Sequence, residues 1–188
     1  MGHKPRSSLL LILVLCCAAA MTIYAQSLKP APKNQSGSPM VLLGKAVKKF
    51  LTFRVVTVQL YIAPGYGPGQ IFEDIPKRIE VTYHLNIPKA ELDRATIKGI
   101  EKNVSHEQLL KLMPKIEQVN SYYQDVRSSD QIVMSYFPAI GTQVMVKGQI
   151  KGIIPGQDFA KAFFAIWVGD HPVDERAKFQ LLGKDKER

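Results

Sequence analysis

The side chains that could carry out acid–base or metal chemistry are few in this sequence and stand far apart. Beyond residue 25 the histidines are His84, His106 and His171, and none forms the H-x-x-x-H pair that places two imidazoles on one helix face. No carboxylate stands near any of them at a spacing typical of a shared metal ligand set. We therefore interpret the histidines as structural or solvated, and we expect no metal site and no cofactor.

Other kinds of catalytic site find no better support. The sequence contains no G-x-S-x-G elbow for a serine nucleophile. The glycine-rich residues 65–69 lack the Lys-Ser/Thr pair that completes a phosphate-binding loop, so we interpret them as a turn. Glu91 and Asp93 stand two positions apart on a predicted helix and point in different directions, which is typical of surface charges. The residue types alone thus indicate no catalytic residue.

The first residues have the composition of a secretory signal peptide. Lys4 and Arg6 precede an apolar run over residues 9–21, which is shorter than the about 20 residues that a membrane-spanning helix needs. We place the cleavage after Ala25 and expect a periplasmic or secreted protein. Ile23 is larger than the small residue usually preferred three positions before the cut, so an uncleaved membrane anchor stays as the alternative.

The remaining chain is predicted to form one domain. Residues 1–25 hold both cysteines, so no disulfide is expected in the mature protein. Residues 26–39 are polar and rich in proline and serine, which is typical of a flexible linker, and residues 40–183 have the length of a single domain followed by a charged tail over residues 184–188. The net charge of +9 is spread along the chain. We interpret it as favouring solubility, with contact to a membrane surface or an envelope protein as the alternative, and we expect no nucleic-acid partner.

Hydrophobic spacing predicts the elements that must position any site. Residues 52–62 are apolar in both alternating sets, which predicts a central strand covered on both faces. Residues 79–85 alternate between apolar and polar side chains, as in a strand with one wet face. Further strands are predicted over residues 131–138 and 142–146 and, after a turn, over Gln149–Ile154.

Three helices are expected between and after these strands. Pro88 is placed to open the first, whose apolar stripe consists of Leu92, Ala95, Gly99 and Ile100. Ser105 and Gln108 can form a capping box for the second, which Pro114 should kink or divide, and the third covers Gln157–Val168. The order predicts an α+β domain, an antiparallel sheet with a layer of helices on one face.

Several short motifs, taken together, resemble the bacterial, exported chalcone isomerase-like proteins. They stand in the same order as in that family and span most of the predicted domain, namely residues 42–50, 76–80, 99–103, 141–142 with 148–149, and 166–170. The resemblance implies an open-faced β-sandwich with a cleft between the sheet and the helices. In plant chalcone isomerases this cleft converts a chalcone to a flavanone.

The resemblance also implies where the isomerase groups would lie. The arginine that holds the reacting oxyanion falls on Lys48, the strand threonine on Val56, the tyrosine and asparagine on Leu92 and Gly99, and the second threonine on Ile166. Hydrocarbon or a bare backbone thus replaces four of the five polar groups. One oxyanion donor lowers the barrier by about 3 to 4 kcal/mol, so we expect no isomerase activity.

Fatty-acid binding is the function that the resemblance leaves open, because other members of the fold bind fatty acids. Lys48, Lys49 or Arg54 could hold the carboxylate, with the chain against the apolar side chains that replace the isomerase groups, so the candidate binding residues are Lys48, Arg54, Val56, Leu92, Gly99 and Ile166. One alternative is a cleft packed shut in a structural or protein-interaction module. Another is an isomerase, an intramolecular lyase, with a rearranged site around Lys48, Arg54, Thr57 and Tyr61.

Overall fold

Six strands form a single antiparallel sheet in the computed structural model, which describes residues 39–184, and their order in the sheet is their order in the chain. They are β1 (Val41–Phe50), β2 (Phe53–Ile62), β3 (Lys77–Tyr83), β4 (Gln131–Phe137), β5 (Gly141–Val146) and β6 (Gln149–Ile154). The predictions for residues 1–38 and 185–188 lie outside the described residues.

One face of the sheet carries the core. Opposite residues on neighbouring strands form buried apolar rows, one of which runs Ala46, Val58, Val81, Ile132 and Val146. Such rows arise because alternate side chains of a strand point to the same face. The antiparallel sheet and its hairpins confirm the predicted fold class.

Four α-helices lie within the described residues. They are α1 (Lys89–Glu101), α2 (His106–Tyr122), α3 (Gln157–Val168) and α4 (Glu175–Leu181). Helices α2 and α3 contact strand β5, while α1 packs on α2 and α3, so the helices form the expected layer over the sheet. None of the described helices combines the length and apolarity that crossing a membrane would require.

The predicted helix ends are largely confirmed. Ser105 Oγ accepts from the backbone N–H of Gln108 at 3.2 Å, and Gln108 Oε1 accepts from the N–H of Ser105 at 3.0 Å, which is the capping box. Of the two outcomes expected at Pro114, a kink or a division, the structure excludes the division, because α2 runs unbroken through it. Buried Leu112, Ile116 and Val119 hold α2 against the core, and this packing offsets the lost hydrogen bond.

Two elements, β1 and α4, were not predicted, and they pack on each other. Gly44 of β1 lies so close to α4 that a Cβ atom there would stand 2.2 Å from the carbonyl oxygen of Gln180. The expectation that β2 is covered on both faces was wrong for its outer face, where Gln59 and Tyr61 are half-buried. All described helices lie on the opposite face.

Candidate functional site

A cavity of about 320 Å³ lies between one end of the sheet and helices α1 and α3. Its wall is mostly apolar and includes Val56, Leu92, Ile132, Met134, Phe163 and Ile166. Strands β1 to β4 supply the floor, and the two helices supply the roof. A recess of this volume means that the side chains do not fill the space between sheet and helices.

Four of the six predicted site residues line this cavity, namely Lys48, Val56, Leu92 and Ile166. Lys48 and Val56 are opposite each other on β1 and β2, and Val56 is in turn opposite Tyr83 on β3. The three side chains therefore form one inward-facing row near this end of the sheet. Leu92 and Ile166 face them from α1 and α3.

The other two predicted residues take different places. Gly99 is buried beneath the cavity, where a Cβ atom would stand 2.8 Å from Cγ2 of Ile166, so its lack of a side chain lets α1 approach α3. Arg54 is exposed and is not among the lining residues. Lys49, the other cation considered for the carboxylate, is exposed as well.

Among the described residues that line the cavity, Lys48 is the one cation. Its ammonium group is half-buried and donates to the backbone oxygen of Val173 at 3.4 Å, a long hydrogen bond to an uncharged acceptor. The one lining carboxylate, Glu91, is exposed and pairs with Arg94 at 2.9 Å. A ligand carboxylate could therefore become the charged partner of Lys48.

The cavity wall also contains hydroxyl groups that sequence reasoning missed. Thr96 of α1 and Tyr123 are buried and share a hydrogen bond of 3.2 Å, and Tyr83 lines the same wall. Burial raises the pKa of the Tyr123 phenol, and burial followed by the nearby Tyr123 raises that of Tyr83, so both stay protonated. The indole Nε1 of Trp167, another lining residue, is buried without a hydrogen-bond partner among the described residues.

Comparison with known proteins identifies the family of this chain. A family model described as chalcone isomerase-like matches residues 21–183. The chain belongs to the chalcone isomerase-like family. A comparison with curated proteins found no match.

Among solved structures, the chalcone isomerase-like chain is similar to the crystal structure of a fatty-acid binding protein of Arabidopsis thaliana. The two superpose with a TM-score of 0.61 over 78% of this chain and 88% of that chain, at 14% sequence identity. At this identity the likeness establishes the shared fold.

The structure does not bring together the rearranged isomerase site that was considered as an alternative. Thr57 lies on the outer face of the sheet, where its Oγ1 is 2.7 Å from Nε2 of His84, and Tyr61 on the same face bonds Gln59. Lys48 is on the inner face, because successive side chains of a strand alternate. In the part of the chain that is described, no group of three or more His, Cys, Asp or Glu side chains could hold a metal ion.

A second recess of about 630 Å³ lies between α2, α3 and the loop that contains Phe72. It holds none of the predicted site residues, and its rim carries charges of both signs, including Lys111, Lys161 and Asp158. Lys111 is already paired with Glu107, and Asp158 with Lys115, each at 2.6 Å. The smaller cavity, with its apolar wall and single cation, is therefore the candidate site of this chalcone isomerase-like protein.

Proposed function

We propose that this chain is a non-catalytic chalcone isomerase-like protein that binds a fatty acid or another amphiphilic small molecule between the sheet and the helices. One observation carries the proposal, the cavity of about 320 Å³ that Lys48, Val56, Leu92 and Ile166 line. Its size falls within the about 300 to 1,000 Å³ that is usual for ligand pockets, and its wall is apolar with few polar groups, as such pockets are.

The apolar wall of the cavity suits the acyl chain of an amphiphile, and the single cation suits its charged head. An acyl chain would leave water against Val56, Leu92 and Ile166, which the hydrophobic effect favours. The carboxylate would accept from the ammonium group of Lys48. A hydrogen bond to a charged group contributes about 1.5 to 3 kcal/mol, so this pairing would fix the orientation of the ligand.

The name of the similar Arabidopsis protein supports the same class of ligand. That protein is described as fatty-acid binding, and its fold is shared over most of both chains. The apolar replacements at Val56 and Ile166 fit an acyl chain better than they fit a reacting polar substrate.

Native mass spectrometry after mild purification tests the proposal. We expect a mass shift from a co-purified acyl compound, or from added decanoate when the purified chain is empty. The choice of a ten-carbon probe follows from the volume, because 320 Å³ holds about ten groups of ~30 Å³, the share of one water molecule in the liquid. No bound lipid in either experiment would contradict the proposal.

The hydroxyl groups in the cavity favour a second candidate, an intramolecular lyase of the chalcone isomerase type. Thr96 and Tyr123 are protonated donors of the kind that stabilise a developing oxyanion. A spectrophotometric chalcone cyclisation assay separates the two candidates. Loss of chalcone absorbance above the spontaneous rate would support the enzyme, whereas a rate equal to the spontaneous one would remove it.

We also propose that the protein belongs to the exported bacterial branch of the family and works in the cell envelope. The basic residues and the apolar run over residues 9–21 support this, with a signal at residues 1–25, a linker at 26–39, a domain at 40–183 and a tail at 184–188. Contact with an envelope protein or a membrane surface is part of this proposal. The mass of the protein recovered from the periplasm tests it, and we expect a chain that begins at Gln26.

A further inference from the structure

The turn between β1 and β2 presents apolar side chains to solvent. Leu51 is 81% exposed and Phe53 is 64% exposed, the two highest values among the large hydrophobic side chains of the described residues. Leu51 also has a φ of 54°, a backbone conformation that favours glycine and that is strained for leucine. The two-residue turn requires this φ but not an apolar side chain, and an exposed leucine that accepts the strain points to a function.

The strands that carry this turn are positively charged. From Val41 to Ile62 the hairpin contains four basic residues, Lys45, Lys48, Lys49 and Arg54, and no acidic one. Lys49 and Arg54 are directly opposite each other, and both are exposed. Like charges in opposite positions destabilise a pair of strands, so this arrangement favours an anionic partner.

Along the hairpin from its tip, apolar side chains come first and basic side chains second, which matches the order of acyl chains and headgroups at a lipid surface. The pair Lys49 and Arg54 follows one step behind the pair that closes the turn, about 3.4 Å along the strands. Leu85, which is also exposed, follows the end of β3 at the same end of the sheet. Exposed leucine and aromatic side chains bordered by cations are typical of segments that rest in the interface of an anionic bilayer.

We propose that the tip of the β1–β2 hairpin inserts Leu51 and Phe53 into the surface of a membrane that contains anionic lipids. Lys49 and Arg54 then lie at the level of the headgroups. Lys48 and Val56 of the same hairpin line the cavity, so an amphiphile held there lies close to the lipid surface from which it can be taken. The proposal names the membrane partner within the proposed envelope function, and it does not depend on which ligand the cavity binds.

A tryptophan placed at the tip tests the insertion. The natural chain has one tryptophan, Trp167, so the test variant is Phe53→Trp in a Trp167→Phe chain, and the matched control is Leu110→Trp in the same chain. Leu110 is 58% exposed and lies on α2, outside the hairpin. With vesicles of phosphatidylcholine and phosphatidylglycerol, we expect the emission at position 53 to move to the blue and to be quenched by lipids brominated in their acyl chains.

The control should show neither change, and because both variants share the rest of the chain, the contrast reports on the tip. Equal quenching at positions 53 and 110, or none at either, overturns the proposal. Emission at position 53 that is already blue without vesicles and reddens on dilution also overturns it, because the tip then meets a second copy of the chain. Spectra recorded without vesicles give the reference for each variant. Decanoate binding is also measured without vesicles, so that failure of the membrane proposal and failure of the ligand proposal can be told apart.

Reversal of charge gives a second measurement that does not alter the turn. In a co-sedimentation assay, we expect the double variant Lys49→Glu and Arg54→Glu to bind vesicles at least tenfold more weakly. The control is the double variant Lys98→Glu and Lys102→Glu, which changes the net charge equally at two exposed positions in and just after α1. We expect the control to lower vesicle binding much less. An equal loss in the two variants would assign the attraction to net charge alone and would overturn the role of the tip.

Discussion

The hydroxyl group of Thr96 on α1 lies 3.2 Å from that of Tyr123, the residue that follows α2. Both residues are buried, and both line the cavity between the sheet and the helices. This hydrogen bond therefore joins two helices at the wall of the candidate site. It also places two protonated hydroxyl groups where the sequence predicted hydrocarbon.

Removing one hydroxyl group of this pair should lower the free energy of unfolding more than removing both. Tyr123→Phe leaves the buried Thr96 hydroxyl without its partner, so we expect the free energy of unfolding to fall by about 1 to 3 kcal/mol. Adding Thr96→Val removes the orphaned hydroxyl at almost constant shape and should recover part of that loss. Urea unfolding of the four chains of this double-mutant cycle measures the coupling. Strictly additive losses would show that the two hydroxyl groups do not stabilise each other.

Much of the fold could be predicted because its apolar spacing is regular. The helix Gln157–Val168 and the strand Gln149–Ile154 were predicted with the bounds that the structure has. Strand β1 was missed because its pairing with β2 skips Leu43, between Leu42 and Gly44, which breaks the alternation of its side chains. Helix α4 was missed because it has only seven residues, too few for a clear helical stripe.

Less of the candidate site could be predicted. Lys48, Val56, Leu92 and Ile166 were found only through the resemblance to a family, and the structure brings them together at one cavity. Tyr83, Thr96 and Tyr123 come from a strand, a helix and a helix end that are far apart in the chain. No spacing in the sequence could associate them, since their meeting depends on how the helices pack over the sheet.

The close approach of α1 to α3 at Gly99 can be tested by adding one methyl group. A Cβ atom there would stand 2.8 Å from Cγ2 of Ile166, so Gly99→Ala should lower the free energy of unfolding by about 1 to 3 kcal/mol. The control is Gly67→Ala, because nothing lies within 4 Å of a Cβ atom at Gly67. Thermal unfolding with Ile166→Ala added should show a smaller penalty for Gly99→Ala, and an unchanged penalty would contradict the steric explanation.

A fully buried lysine ties down the loop between β2 and β3. Lys77 is 0% exposed, and its ammonium group donates to the backbone oxygens of Ile71 at 2.7 Å and Glu73 at 2.8 Å. The same group lies 5.2 Å from the ring centroid of Tyr136 and 5.6 Å from that of Phe164. Burial, with a smaller effect of Lys161, lowers the pKa of Lys77 to about 8.

The lowered pKa of Lys77 predicts a stability that rises with pH. Between about pH 8 and the ordinary lysine value of 10.5, the unfolded chain keeps the proton that folded Lys77 has lost, so the unfolded state binds more protons and the free energy of unfolding increases. We expect a rise of up to about 3 kcal/mol over this range. Lys77→Met serves as the reference, because it lacks the titrating lysine. The tyrosines, which also titrate in this range, are the same in both chains, so their effect cancels when the two free energies of unfolding are subtracted. Parallel curves for the two chains from pH 8 to pH 10 would contradict the prediction.

The cation at the cavity should distinguish a charged ligand from a neutral one of equal length. If Lys48 pairs with a carboxylate, Lys48→Met should weaken decanoate binding about 10- to 100-fold, the equivalent of a charge-assisted hydrogen bond, and should leave decanol binding almost unchanged. Lys98→Met removes an exposed cation of α1 that does not line the cavity and should preserve both affinities. Isothermal titration of the three chains with both compounds gives the comparison. Equal losses for acid and alcohol in Lys48→Met would mean that the lysine supports the shape of the cavity rather than the charge of its ligand, because only the acid has a negative group for the ammonium to hold.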